Sequence, residues 1–415
     1  MTVVRYLSVC ALAMATAVAR ADDFIDRIDD ALTASAFHDQ LRTRLSGTID
    51  LEGYQFAQPA PALIYSSGHT LFNPRLTLFL DVQAGSQFYL FAQSRVDRGF
   101  DPSAGKAEIR LDEYAVRFTP YEDARLSVQI GKFAPMLGTW NLRHGSWDNP
   151  FISAPLVYES LTGLWDSTTA DSTATLLKWA HVKPDMQWTV ESDKELRNPI
   201  VWGPCYASGA SIFGTYQEFE YAFEIKNASL SSRPENWSPS TSAWDHPTFN
   251  AHLGYNPSEK WKFGVSASSG SFLLPRAART IPSGYGFNDY RQLVFAQDVT
   301  FAWHHLQVWA ECYESRFEIP RVGNADTLAY YVEAKYKFAP QFFGAIRWNQ
   351  QVFGTLTEAT GEKTNWSHNL CRLDLAPTYR LNPHMQLKLQ YSVQHEQSKA
   401  PYLVSTFSGQ YTVRF

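Results

Sequence analysis

From Arg44 to Phe415 the chain alternates apolar and polar residues, in runs of roughly 8–14 residues broken by turn formers. Leu76, Leu78, Leu80 and Val82 share one side of such a run, as do Leu126, Val128 and Ile130. Phe249, Ala251, Leu253 and Tyr255 repeat the pattern, followed by Trp261, Phe263, Val265 and Ala267. Later runs carry Phe342, Ile346 and Trp348, with Gly344 between, and then Leu387, Leu389, Tyr391 and Val393. Strand side chains point alternately to opposite faces, so each run makes a ribbon with one apolar and one polar face. Aromatic residues are 15% of the chain, yet no segment after the leader has an apolar run of helix-spanning length. That combination suits a barrel in a membrane, where alternate residues meet lipid and aromatic rings collect at the two interfaces.

The connections are unequal. Tight ones include Pro120-Tyr121-Glu122-Asp123, Lys183-Pro184-Asp185, Asn256-Pro257-Ser258-Glu259, His304-His305, Ala339-Pro340-Gln341 and Leu381-Asn382-Pro383-His384. Longer polar stretches fall near residues 57–73, 136–171, 229–247, 270–289 and 354–366. Short turns alternating with long loops are the connectivity of an outer-membrane barrel. The expected fold is all-β: a transmembrane antiparallel β-barrel over residues 44–415. Its strand number is 16–18, with 18 favoured, from about Arg44–Phe56 to Leu403–Phe415. The hairpin near Ala207–Thr215 and Phe219–Asn227 is the least sharply patterned, and losing it would give 16. In Ile109–Phe118 the apolar phase slips between Leu111 and Tyr114, which predicts a β-bulge or a strand end clear of the membrane.

The amino terminus differs. Arg5 precedes the apolar stretch Leu7–Val18, and Ala19-Arg20-Ala21 fits a small-x-small cleavage site, so residues 1–21 read as a secretory signal peptide. Phe24, Ile25, Ile28 and Leu32 then recur at helical spacing, which predicts a short amphipathic helix within residues 22–43, in the periplasm or at the barrel mouth. Cys10 leaves with the leader; Cys205, Cys312 and Cys371 are too widely spaced for a disulfide framework or a zinc site and read as apolar filler. The formal net charge of −5 argues against a nucleic-acid surface. No metal or cofactor is expected.

In a barrel this wide, strand side chains cannot fill the interior, so a water-filled channel is expected unless something plugs it. With the apolar faces toward lipid, the lumen receives Arg95, Asp97, Glu113, Arg117, Glu224, Lys226, Asp298, Glu311, Glu333, Lys335, Arg347, Arg372, Asp374 and Lys388. Both signs occur, so no cation or anion preference follows, and pairing across adjacent strands is the simplest use of them. The segment 136–171 is rich in Trp and Pro, and such aromatic area seeks burial. It is expected either to enter the lumen as a constriction or to form an ordered external cap. Arg143, His144, Asp148, Glu159 and Asp166 are the constriction candidates.

The hairpin Tyr114-Ala115-Val116-Arg117-Phe118 … Gly131-Lys132-Phe133-Ala134-Pro135 resembles the porin superfamily, phosphate-selective-type porins in particular. The ending Tyr411-Thr412-Val413-Arg414-Phe415 resembles the last strand of Gram-negative outer-membrane barrels. The resemblance implies that Tyr411, Val413 and Phe415 are read by the barrel-assembly machinery. It also implies a cell outer-membrane location, contact with outer-membrane lipid and lipopolysaccharide, and an assembly that could be a homo-trimer. Phosphate selectivity in those porins uses a lysine and arginine ladder, which the mixed charges here do not reproduce. The function expected is a passive channel for small hydrophilic solutes or ions. A substrate-specific oligosaccharide channel or exporter shares the fold, with Tyr89, Phe91, Trp309 and Tyr313 as its aromatic track. An outer-membrane enzyme is disfavoured, because His144, His246, His304, His305 and His368 sit in loops or turns with no triad spacing. A secreted soluble β-protein is the remaining reading.

Overall fold

The computed structural model describes residues 24–57, 60–64, 66, 68–97, 107–181, 196–234, 244–397 and 402–415. The leader and the expected turn Lys183-Pro184-Asp185 lie outside the described residues. Among the described residues, sixteen long strands form the barrel wall of one antiparallel sheet, to which a short amino-terminal strand adds a seventeenth. The sixteen begin with β1 (Leu41–Phe56), β2 (Thr70–Ala84), β3 (Phe88–Asp97), β4 (Glu108–Phe118), β5 (Ser127–Phe133), β6 (Ala207–Tyr216), β7 (Phe219–Lys226) and β8 (Thr248–Ser258). They continue as β9 (Trp261–Ser271), β10 (Arg291–Trp303), β11 (Leu306–Ile319), β12 (Gly323–Lys337), β13 (Phe342–Phe353), β14 (Leu370–Arg380), β15 (Met385–Glu396) and β16 (Tyr402–Arg414). Each strand pairs with its sequence neighbours, and β16 pairs with β1, so the sheet closes and has no free edge. At the seam Tyr411 faces Leu51 and Val413 faces Ile49. The backbone of Phe415 exchanges two hydrogen bonds with Gly47, at 3.0 and 2.9 Å.

The count of 18 is therefore corrected to 16. The hairpin β6–β7, the least sharply patterned pair in the sequence, is present. Among the described residues between β5 and β6, Thr173–His181, which leads toward the expected turn Lys183-Pro184-Asp185, is a helix and not a strand. Leu176, Leu177 and Ala180 are its buried positions, a helical spacing in a segment too short for period two to be distinguished from 3.6. Ser172 caps it by accepting a hydrogen bond from the Thr175 N–H at 3.3 Å. The short amino-terminal helix is present, over residues 24–31, and leads into a short strand, Thr33–Ala36, folded back on the start of β1. The Arg44–Asp29 ion pair and a hydrogen bond between His384 Nε2 and Asp26 hold it at the rim where the tight turns and both described ends of the chain lie.

The alternation does what elementary sterics requires. Ile49, Leu51, Phe72, Ile130, Phe223, Leu253, Val332, Ile346, Leu389 and Phe407 point outward and are exposed, while their strand neighbours point in. Aromatic contacts gather at the short-turn rim, among them Phe88–Phe118, Phe219–Tyr255, Trp261–Phe301 and Tyr336–Phe338. In β4 the register against β3 shifts between Gln93 and Ser94, which leaves Asp112 as a bulged residue without a partner. The bulge resets the phase, so Ile109 and Val116 are both exposed outward while Arg110, Asp112 and Ala115 are buried inside.

One part of the interior departs from the two-face pattern. Val294 and Ala296 on β10, Tyr313 and Phe317 on β11, and Ala329 and Tyr331 on β12 point inward and are buried in an apolar cluster. They pack against Leu156, Leu164, Leu176, Ile200 and Val201 from the segment between β5 and β6. That side of the lumen is a dry core, not a water-filled wall.

Candidate pore constriction

The route of the chain after β5 begins at Gly131, whose φ of +152° and close approach to β4 leave no room for a side chain: a Cβ would sit 2.1 Å from the Tyr114 carbonyl oxygen. Lys132 turns inward here and donates to the Leu111 carbonyl at 2.9 Å. The backbone then crosses the lumen along three wall carboxylates. Ala134 N donates to Glu113, Met136 N to Glu224, and Thr139 N and Trp140 N to Glu311. Gly138 adopts φ +65° beside Tyr313 and Glu311, a left-handed turn with no space for a Cβ.

On the far wall the signs reverse. Lys388 on β15 donates to the carbonyls of Ser146 at 2.9 Å and Asn149 at 2.6 Å, with Phe151 at 3.4 Å. Arg347 on β13 donates to the carbonyls of Ser153 and Ala154 at 3.0 and 3.1 Å. Gln390 accepts from Ile152 N and Ser153 N, and Asn349 from Leu156 N. An unpaired buried backbone group costs about 1–3 kcal/mol, so each of these contacts holds the segment in place as well as satisfying it. The wall charges also pair with one another. Glu333 joins Arg143 and Arg347, Arg347 joins Asp374, and Arg372 joins Asp374 and Glu159, all nearly or fully buried.

A cavity of about 100 Å³ lies between this segment and β2–β4, a candidate passage. Arg75, Arg95, Arg110 and Asp112 line it from the wall; His144, Phe151, Tyr158, Glu159, Trp202 and Tyr206 line it from the inserted chain. The guanidinium groups are matched: Arg75 by Asp50 and Glu52, Arg95 and Arg110 each by Asp97 and Asp112. His144 lies between the Asn141 carbonyl, 2.6 Å from Nδ1, and the Tyr206 hydroxyl, 2.8 Å from Nε2. Burial lowers its pKa below the ordinary value, which fits Nδ1–H donating to the carbonyl while Nε2 accepts from the hydroxyl. Burial also raises the Tyr158 hydroxyl, which donates to Glu311 at 2.6 Å.

Of the five constriction candidates, His144 and Glu159 line the passage. Arg143 lies behind it, over the Trp309 ring and against Glu333. Asp148 is exposed away from it, and Asp166 is buried near Arg276 on the long-loop side, where desolvation pushes its pKa up to about 6. Every lumen-facing candidate points inward. Glu113, Glu311, Arg347, Arg372 and Lys388 contact the inserted segment, and Arg95, Asp97, Glu333 and Asp374 belong to the ion-pair ladders. Asp298 faces Glu311 across the β10–β11 pair. Lys335 and Arg117 lie over aromatic rings near the short-turn rim. Arg75 was legible from the period of β2 but not singled out. Trp202 and Tyr206 carried no signal, being far in sequence from residues 136–171. The aromatic residues expected as a track are engaged in packing: Tyr89 and Phe91 stack under Arg117, Trp309 lies under Arg143, and Tyr313 bonds Glu311.

No protein-family model matches the chain, and no curated protein sequence does. Solved structures match over nearly its whole length. OmpF of Salmonella typhi, solved in complex with daunomycin, has a TM-score of 0.56 at 11% identity, covering 92% of this chain and all of that one. The fold is of the general porin type. The outer membrane channel DcaP of Acinetobacter baumannii follows at 0.55 and 9%, covering 92% and 100%. The anion-selective porin from Comamonas acidovorans reaches 0.52 at 9% identity, covering 90% and 100%. At such identities the likeness concerns the fold alone, and the phosphate-selective subtype gains no support from it.

Proposed function

We propose that this chain is an outer-membrane porin: a passive diffusion channel for small hydrophilic solutes or ions, with no enzymatic role. The observation that carries the reading is the lumen-crossing segment, latched by backbone hydrogen bonds to both walls of a closed barrel. The passage beside it has room for a few water molecules, at roughly 30 Å³ each. Its small size therefore favours ions that shed part of their hydration shell, and very small solutes, over sugars. Because its guanidinium groups are already matched by carboxylates, discrimination at this level rests on size more than on charge. Outer-membrane lipid and lipopolysaccharide would cover the outward apolar band, and the assembly machinery would read the strand ending in Tyr411, Val413 and Phe415. Three copies would associate over β1 and β16, where Gly53 faces Gly409 and flattens the outer surface.

Reconstitution tests the channel. Planar bilayers should show stepwise conductance in potassium chloride, and liposomes should swell more slowly in disaccharides than in the smallest sugars. Bilayers that stay silent with correctly folded protein, judged by heat-modifiable gel mobility, would remove the proposal.

A further inference from the structure

The mid-lumen arginines Arg75, Arg95, Arg110, Arg143, Arg347 and Arg372 all have carboxylate partners. At the short-turn end Arg44 and Arg125 are still paired, with Asp29 and Asp123, but three inward cations are not. Lys335, Arg380 and Arg414 stand near the ends of β12, β14 and β16, and no ion pair joins any of them to a described carboxylate. Two rings hold the three cations together. The guanidinium groups of Arg414 and Arg380 lie 4.1 and 5.1 Å from the centre of Trp147, and Arg380 and Lys335 lie 5.5 and 4.5 Å from that of Phe343. Arg380 Nε is buried without a hydrogen-bond partner. Of the carboxylates whose field reaches Lys335 or Arg414, Glu333 is held by Arg143 and Arg347, Asp29 is held by Arg44, and Asp148 remains exposed on the inserted segment.

Like charges gathered at a half-buried mouth repel one another; Arg414 Nε is held by the Pro383 carbonyl at 2.8 Å, and a multivalent anion relieves the repulsion while accepting from the remaining N–H groups. We propose that Lys335, Arg380 and Arg414 form a binding site for small divalent oxyanions at the short-turn mouth of the lumen. Trp147, carried there by the inserted segment, and Phe343 act as its rigid backing. A monovalent anion such as chloride gains only part of the same relief, so the site discriminates by charge where the narrower passage above it does not. This inference deepens the channel reading, on which it rests for any role in permeation; binding itself needs only a folded barrel.

The test is calorimetric titration of the refolded, detergent-solubilised chain with sodium sulfate at constant ionic strength. Saturable binding is expected, weakened about tenfold or more by Arg380→Gln with Arg414→Gln. Replacing both by Lys keeps the charge and should hold affinity within about threefold. Asp148→Asn removes the intramolecular competitor and should tighten binding. Heat-modifiable mobility shows that each variant is folded. Absence of saturable heat, or equal affinity in the double Gln variant, overturns the site. A chain that binds sulfate yet never conducts would remove the channel reading and leave this site standing; conduction without sulfate binding would do the reverse.

Discussion

Replacing Lys388 by Met tests the latch on the inserted segment at its most concentrated point. The ammonium is fully buried, and its hydrogen bonds run to the carbonyls of Ser146, Asn149 and Phe151. The Ser146 carbonyl keeps a second donor, Gln386 Nε2 at 2.9 Å, and the Phe151 contact is long, so the Asn149 bond carries most of the loss. A hydrogen bond to a charged group contributes about 1.5–3 kcal/mol, so one full bond and two partial ones give about 2–3 kcal/mol toward local detachment. At about 1.4 kcal/mol per decade, the detached population rises by about 30- to 150-fold. Global stability should change less, because Met also removes the cost of burying a charge. The assay is single-channel recording at fixed voltage: Lys388→Met should flicker far more often into a higher-conductance state, with nearly unchanged resistance to urea. Traces indistinguishable from the parent chain would refute the claim that this lysine holds the segment in the ion path.

Glu311→Gln should be more damaging. The carboxylate accepts from Thr139 N, Trp140 N and the hydroxyls of Thr139, Tyr158 and Tyr313, so an amide would turn N–H groups toward donors. A loss of about 3 kcal/mol or more is expected in urea unfolding, and an unchanged midpoint would contradict the assigned contacts. Asp166 sets a pH dependence. Its folded pKa, about 6, lies above the ordinary 3.8, so the stability it contributes is fully present below about pH 4 and is lost as pH rises through 6. The span is about 2–3 kcal/mol. The segment should resist protease better at pH 4.5 than at pH 7, and Asp166→Asn should flatten that difference; a difference that survives the substitution assigns it elsewhere.

The barrel was legible because period-two alternation and tight turns are local signals, and the phase slip at Leu111–Tyr114 marked the bulge at Asp112. The strand number was not, because Thr173–His181 is too short for its period to be unambiguous. The inward charges could be read from alternation, but not their use. Lys388 with Asn149, Arg347 with Ser153 and Trp140 with Glu311 join residues far apart in the chain, and their partners are backbone groups with no sequence signature. Mixed lumen charge looked like a selectivity problem. Much of it serves backbone satisfaction: carboxylates accept from N–H groups on entry, and cations donate to carbonyls on the far wall. The dry core around Tyr313 and Phe317 escaped because an apolar inward face breaks the two-faced pattern by which the strands were recognised.

The measurement that bears most directly on this architecture is the single-channel conductance of a chain lacking Asn141–Thr169. Glu333 would keep Arg347 and Arg372 would keep Asp374, while Lys388, whose carbonyl partners all lie in the deleted stretch, would face the water of the opened lumen. If the segment fills the lumen, the shortened chain should conduct several-fold more current and admit larger sugars into liposomes. Conductance and size limit equal to those of the full chain would place the segment outside the permeation path and contradict the account.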